Sequence, residues 1–384
     1  MGRIDWPFLH QAFRKVRRNR GAAGIDKVSI AMFEANLEQN LQALVRRLKD
    51  RSYRPYPLRR VDIPKGPGKT RPLGIPAVRD RVAQEAVRFI LNPYFESVFH
   101  DDSYGFRPKR GCHMAVRRVL ELHRLGYKYV LDADIKGFFD YLPHSVIMRG
   151  VSEQIADGGI LELVEKFLTA GVMVDGKFQP TPVGTPQGGV ISPLLANIAL
   201  NSLDWRLHDA GYRFVRYADD FVVVCQAKAQ VKMAHDLVQQ HLEQLGLALS
   251  PEKTKLTSFH EGYSFLGFDI SVRSVTMRAK SVEKFKTTIR ELTPRHCNLD
   301  HAVINKVNAV VRGVANYFAT PFTQVRSLFR DLNGWIRMRI RCMKSKHKSR
   351  SDNWRIPRKH LVRVGLIELL YPRAPPTVGT DGRL

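Results

Sequence analysis

The sequence predicts an α+β fold, and three observations carry that reading. Residues 214–217 and 221–225 are short apolar runs on either side of Ala218, Asp219 and Asp220, the pattern of two strands and a hairpin turn. Tyr129, Leu131 and Ala133 alternate with Val130, Asp132 and Asp134, which gives a third strand ending near Asp134 and leading into a glycine turn. Residues 31–50 and 229–245 instead keep single apolar stripes at helical spacing: Phe33, Leu37, Leu41, Leu44 and Leu48 in the first, Val231, Ala234, Val238, Leu242 and Leu245 in the second.

Other elements follow in chain order. Residues 1–20 read as a basic amphipathic helix, with Trp6, Leu9 and Phe13 on one face and Arg14-Lys-Val-Arg-Arg-Asn-Arg20 at the end. Residues 31–50 form one helix by pattern, and the Pro- and Arg-rich 53–60 stretch is extended. Residues 61–76 read as two strands around Lys65-Gly-Pro-Gly-Lys-Thr70, a basic flap with Lys65, Lys69 and Arg71 that lacks Walker spacing. A helix over 79–99 breaks at Pro93, residues 103–108 turn, and 112–125 are helical. Arg107 and Arg110 are candidates for phosphate contact. Residues 172–178 form a hairpin around Asp-Gly. Ser192 is placed as an N-cap with Pro193 at the first helical position, and Gly211 ends that helix. The Gln187-Gly-Gly189 loop thus feeds a helix N-terminus, which favours phosphate or a base edge. Residues 247–257 are strand-like and carry Pro251-Glu-Lys-Thr-Lys255.

From residue 281 the pattern is helical again. Thirteen Lys/Arg and two acidic residues lie between Arg312 and His360, and Arg326, Arg330, Arg337 and Arg341 decorate a helix lined by Leu328, Leu332 and Trp335. A basic helical bundle can track a duplex backbone through phosphate contacts that carry little sequence preference. The Pro/Gly-rich end beyond Tyr371 reads as disordered.

The charge balance fits a polyanionic partner. With 62 Lys+Arg against 36 Asp+Glu, the net charge is +26, and nucleic acid leads the candidates. Four distant cysteines exclude a Cys-x-x-Cys metal ribbon and suit free thiols in a reducing, cytoplasmic setting. No apolar run approaches the ~20 residues of a membrane span, and charges interrupt residues 1–20, so no signal peptide is expected.

The chemistry concentrates at the carboxylates. Adjacent carboxylates at an apolar hairpin tip repel each other unless a cation neutralises them. Mg²⁺ suits such a site, because it takes one or two carboxylates plus substrate phosphates. The hairpin alone also reads as an ordinary Asp-rich turn; the Asp134 strand tips the balance. Three converging carboxylates can hold two metals roughly 3.5–4 Å apart, as in-line displacement at phosphorus requires.

Tyr217-Ala-Asp-Asp220 and Asp134-Ile-Lys-Gly-Phe-Phe-Asp140 resemble the palm motifs of reverse transcriptases, and Thr185-Pro-Gln-Gly-Gly-Val-Ile-Ser-Pro-Leu-Leu-Ala-Asn197 resembles the template-and-nucleotide motif between them. Gly21-Ala-Ala-Gly-Ile-Asp26, Arg71-Pro-Leu-Gly-Ile-Pro76, Ser103-Tyr-Gly-Phe-Arg-Pro108, Phe265-Leu-Gly-Phe268 and Arg312-Gly-Val-Ala-Asn-Tyr-Phe318 resemble the group II intron branch. The motifs stand in family order over residues 20 to 345. The resemblance implies a right-hand polymerase: N-terminal extension and fingers over 1–108, palm over 109–142, fingers again over 143–188, palm over 189–275, a helical thumb over 276–345, and a basic loop and tail over 346–384. It implies an RNA-directed DNA polymerase with an RNA template, a DNA or RNA primer, dNTPs, two Mg²⁺ ions and a group II intron RNA as partners. A splicing-only maturase and a host-adopted enzyme of phage defence or DNA repair are the alternatives. The family's DNA-binding segment and Cys/His endonuclease have no counterpart among these motifs, so self-made target cleavage is not expected.

By the same resemblance, Asp134 and Asp219 are metal ligands, joined by the Ile135 carbonyl. Asp220 is the third carboxylate, holding metal or positioning the primer terminus. Phe139 is a steric gate against the ribose 2′-hydroxyl, and Phe138 beside it, a buried ring, is counted with it among the nucleotide-binding residues. Lys69, Arg71 and Gln187 line the nucleotide pocket, and Lys253 or Lys255 donates a proton to the leaving pyrophosphate.

Overall fold

Capping and amphipathic spacing start the chain. In the computed structural model, which describes residues 2, 4–66, 68–185 and 187–371 without the Lys65 and Lys69 side chains, α1 (Trp6–Arg18) begins where Asp5 accepts from the Phe8 amide. It buries Leu9, Phe13 and Val16. The expected 31–50 helix is two helices, α2 (Ile30–Ala35) and α3 (Leu37–Lys49), broken at Asn36 with φ −121° and ψ 39°. Asparagine weakly favours such breaks, and here Asn40 Nδ2 donates to the Phe33 carbonyl at 2.9 Å, satisfying an acceptor of the α2 end.

Next come the basic hairpin β1 (Leu58–Gly66) and β2 (Lys69–Ile75), then α4 (Val78–Glu96). Pro93 lies within the last turn of α4 and does not end it. α5 (Cys112–Arg124), β3 (Tyr129–Asp134), α6 (Phe138–Tyr141), α7 (His144–Ser152) and α8 (Gly158–Leu168) follow. After the hairpin of β4 (Val172–Val174) and β5 (Lys177–Gln179) come α9 (Ser192–Asp209), β6 (Arg213–Tyr217), β7 (Asp220–Cys225), α10 (Lys228–Gln244) and β8 (Lys255–Ser258). β1 pairs antiparallel with β2 and parallel with β4, so the basic flap belongs to a small sheet of order β2-β1-β4-β5. β7 pairs antiparallel with both β6 and β3. Its Phe221–Cys225 side chains are all buried, with α10 against β3 and β7 and α5 against β6 and β7.

The chain divides into two compact units, Met1–Leu256 and Thr257–Leu384. The second holds the sheet β9 (Tyr263–Phe265), β10 (Phe268–Ile270) and β11 (Val275–Met277), then α11 (Ala279–Leu292), α12 (His301–Phe318), α13 (Arg326–Ser345), α14 (Asp352–Arg355) and α15 (Arg358–Arg363). Phe268 stacks on Tyr317 at 5.5 Å and meets Phe318 edge-on at 5.1 Å. These rings bind the small sheet to α12, so residues 263–277 pack with the helices of the second unit. The expectation for the chain end beyond Tyr371 falls outside the described residues. All four cysteines are free: Cys225 and Cys342 are buried, Cys112 and Cys297 half-buried. Among the described residues no helix is long and apolar enough to cross a membrane.

Candidate active site

The hairpin between β6 and β7 turns as tightly as a hairpin can. Tyr217 pairs with Asp220, leaving Ala218 and Asp219 as the whole turn. Ala218 has φ +60°, the left-handed conformation that two-residue hairpins require at the first central position. Asp134, at the end of β3, lies directly across from Asp220 in the ladder. The hydrogen-bonded ladder therefore brings the two carboxylate motifs to one end of the sheet.

Asp134 and Asp219 line one cavity of about 250 Å³. Strand β2 contributes Thr70, Arg71 and Pro72, and the segment after β3 contributes Ile135, Gly137, Phe138, Phe139 and Asp140. Gln187 and Lys253 complete it. The Ser250 amide bonds the Asp134 carbonyl at 2.8 Å, and the Lys136 amide bonds the Ala248 carbonyl at 2.9 Å, so residues 248–250 run along the end of β3. The turn that follows places Lys253 Nζ 2.8 Å from Asp134 Oδ1. Lys253, and not Lys255, is the lysine of the cavity. Burial pushes the Asp219 carboxyl above its ordinary range and Asp134 adds to that, while Arg71 and Lys253 oppose it.

Among the described residues, no three His, Cys, Asp or Glu side chains gather as a metal cage. The cavity lining holds Asp134 and Asp219 together with Asp140, whereas Asp220 is half-buried and outside that lining. Asp134 and Asp219 on one cavity fit Mg²⁺, and a cation there would relieve the repulsion from Asp134 that adds to burial in raising Asp219.

The two phenylalanines are buried to different degrees. Phe138 is 2% exposed and belongs to the core, while Phe139 is half-buried, with ring centroids 5.2 Å apart. The Phe139 carbonyl accepts from the Thr185 amide at 2.8 Å, and Gly184, at φ +84°, passes so close that a Cβ there would sit 2.6 Å from the Asp140 carbonyl. The Gln187 carbonyl accepts from the Gly74 amide at 2.8 Å, joining the 185–189 loop to β2.

Several basic residues take other roles than expected. Arg107 is buried; its guanidinium binds Glu96 and the carbonyls of His100 and Ser103, and turns away from solvent. Arg337 pairs with Glu368 at 2.6 Å, and Arg341 binds the Ile356 carbonyl and Asn353. Both tie α13 to the chain that follows it. Arg326 lies over the Tyr371 ring at 4.7 Å, and Arg330 is 79% exposed. The Lys69 side chain lies outside the described residues.

The sequence reading missed a buried polar cluster under the hairpin, formed by Arg216, Asp204 and Asn197. An arginine between Val215 and Tyr217 in a largely apolar strand was the available signal.

An antiparallel sheet with paired carboxylates at its end, covered by a basic hairpin, is the palm of a right-hand polymerase. The chain belongs to the reverse transcriptase (RNA-dependent DNA polymerase) family, which matches residues 63–270, and residues 282–360 match the group II intron, maturase-specific domain. Protein YkfC of Escherichia coli (strain K12) is 38% identical over 68% of this chain and 79% of its own length. Group II intron-encoded protein LtrA of Lactococcus lactis subsp. cremoris is 30% identical over 80% of this chain. The putative COX1/OXI3 intron 1 protein of Saccharomyces cerevisiae is 30% identical over 69%. The chain spans 63% of LtrA and 37% of the yeast protein.

Proposed function

We propose that the 250 Å³ cavity is where a primer 3′-hydroxyl is extended with dNTPs on an RNA template, by two-metal nucleotidyl transfer. The observation that carries this is the meeting of Asp134, at the end of β3, and Asp219, in the β6–β7 turn, with Arg71, Lys253, Gln187 and Phe139 around one space. Asp134 and Asp219 hold the metals with the Ile135 carbonyl, and Asp220 supports them from the adjoining ladder position. Mg²⁺ held by these residues would supply a lowered pKa at the primer hydroxyl and charge neutralisation on the transferring phosphoryl group. Arg71 and Lys69 of the hairpin hold the triphosphate. Lys253 serves the leaving pyrophosphate, Gln187 lines the base-pair pocket, and Phe139 excludes the 2′-hydroxyl. Catalysis is then largely positioning and electrostatics. Arg330 and Arg326 follow the primer–template backbone.

Primer extension on an RNA template tests this. Asp219→Asn keeps side-chain size and removes the charge, so it should abolish extension while RNA binding persists; wild-type extension by that variant would overturn the assignment. The maturase-domain match favours a second role in assisting the splicing of an intron RNA. Asp219→Asn should retain that assistance, and parallel loss of both activities would count against separate roles.

A further inference from the structure

Beneath the hairpin lies a charged side chain with no access to solvent. Arg216, in β6, is the largest fully buried side chain among the described residues. Its Nε and Nη2 bind the two oxygens of buried Asp204 at 2.7 and 2.5 Å, a bidentate pair. The remaining terminal nitrogen, Nη1, donates to Asn197 Oδ1 at 2.9 Å and to the Ala218 carbonyl at 3.0 Å. Asn197 Nδ2 in turn donates to the Gly105 carbonyl at 2.7 Å. Gly105 closes the circuit, because a Cβ built there would stand 2.3 Å from the Ala218 nitrogen. Backbone bonds agree: the Arg216 amide donates to the Asp102 carbonyl at 2.9 Å, and the Tyr104 amide to the Arg216 carbonyl at 2.8 Å.

The guanidinium thus ties α9 to the two-residue turn, and Asn197 and the Arg216 backbone join the 102–105 segment to them. Burying an ion pair brings little net stability, and an apolar side chain would fill a strand position as well. An apolar side chain could not hold the Ala218 carbonyl. That carbonyl belongs to the peptide group that also contains the Asp219 nitrogen. Its orientation sets the direction in which the Asp219 side chain leaves the turn. Ala218 adopts a conformation sparsely populated by residues other than glycine, so the peptide needs an outside restraint to stay in place.

We propose that Arg216, aimed by Asp204 and Asn197, is a positioning residue of polymerisation: it fixes the Ala218–Asp219 peptide and through it the Asp219 carboxylate. The inference rests on the metal-ligand reading of Asp219. Asn197→Ala leaves the Arg216–Asp204 pair in place and is the decisive variant; Arg216→Lys keeps the charge and removes the fork. In the full chain with Mg²⁺, both should lower kcat for primer extension by about ten- to a hundredfold, the scale expected of a small misplacement. The Mg²⁺ concentration for half-maximal rate should rise, while primer–template affinity stays near wild type. Arg216→Lys should retain more rate than Arg216→Met. Normal kcat and normal Mg²⁺ dependence in a folded Asn197→Ala protein would overturn the proposal, as would a loss that merely follows a lowered melting temperature and disappears on cooling. If Arg216→Lys does not fold, Asn197→Ala alone decides. Should Asp219→Asn extend primers normally, the ligand reading itself has failed; should Asp219→Asn be inactive while Asn197→Ala behaves as wild type, only the positioning role has.

Discussion

Phe139 and Phe138 are adjacent, chemically identical and differently used. Both line the cavity, but Phe139 is half-buried whereas Phe138 is a member of the core. Phe139→Ala should therefore admit ribonucleotides on an RNA template while DNA synthesis continues. Phe138→Ala should instead lower stability by roughly 3–5 kcal/mol, the usual result of emptying a buried aromatic site. Ribonucleotide-to-deoxyribonucleotide incorporation ratios and denaturant melts separate the two, and ribonucleotide entry in Phe138→Ala would reverse their roles. The residues of the cavity were legible because charge and ring chemistry are written in the sequence at fixed spacing from Asp134 and Asp219. The place of Asp220 outside the cavity lining was not, because spacing along the chain does not say which of two adjacent carboxylates enters a cavity. Nor was the burial of Arg107, which depends on Glu96 and two carbonyls that only the folded turn brings within reach.

At the scale of elements, periodicity located the strands and most helices. It failed where one side chain outweighs a pattern, as at Asn36, which splits an unbroken apolar stripe, and at Pro93, which falls too near a helix end to matter. The 184–185 segment shows how an element acts on a residue beyond it. Gly184→Ala would force a Cβ against the Asp140 carbonyl and strain a φ of +84°. It should displace the Phe139 backbone, reducing extension and loosening sugar selection together; unchanged selection would mean that the gate is held elsewhere. On α13, two of the four expected phosphate contacts are already committed to the protein. Arg330→Ala should weaken binding to all primer–template sequences alike. It should also reduce the salt dependence by roughly 0.9 of a log–log unit per lost contact, taking the duplex value. Arg337→Ala should chiefly lower the melting temperature, since it abandons Glu368.

For the whole molecule, pH and thiol chemistry report on the folded state. Burial holds the His100 imidazole below its ordinary range, against the opposing pull of Asp204 and Asp102, and burial does the same to His241. The folded protein then binds fewer protons than the unfolded chain below about pH 6.5, so stability is fully present above that value and declines as pH falls through it. His100→Asn keeps an acceptor for the Asp102 amide and should flatten the fall in melting temperature between neutral and mildly acid pH. The cysteines sort themselves in a different way. Burial pushes the Cys225 thiol up to about 11, and Cys342 is enclosed beside Met338, so neither offers a ready thiolate. Cys112 and Cys297 are half-buried, one in each compact unit. A maleimide should accordingly attach at two positions in the native protein and at four after denaturation. The unaltered chain thus carries one fluorophore handle per unit, and energy transfer between a donor and an acceptor attached there would follow the two units as primer and template arrive.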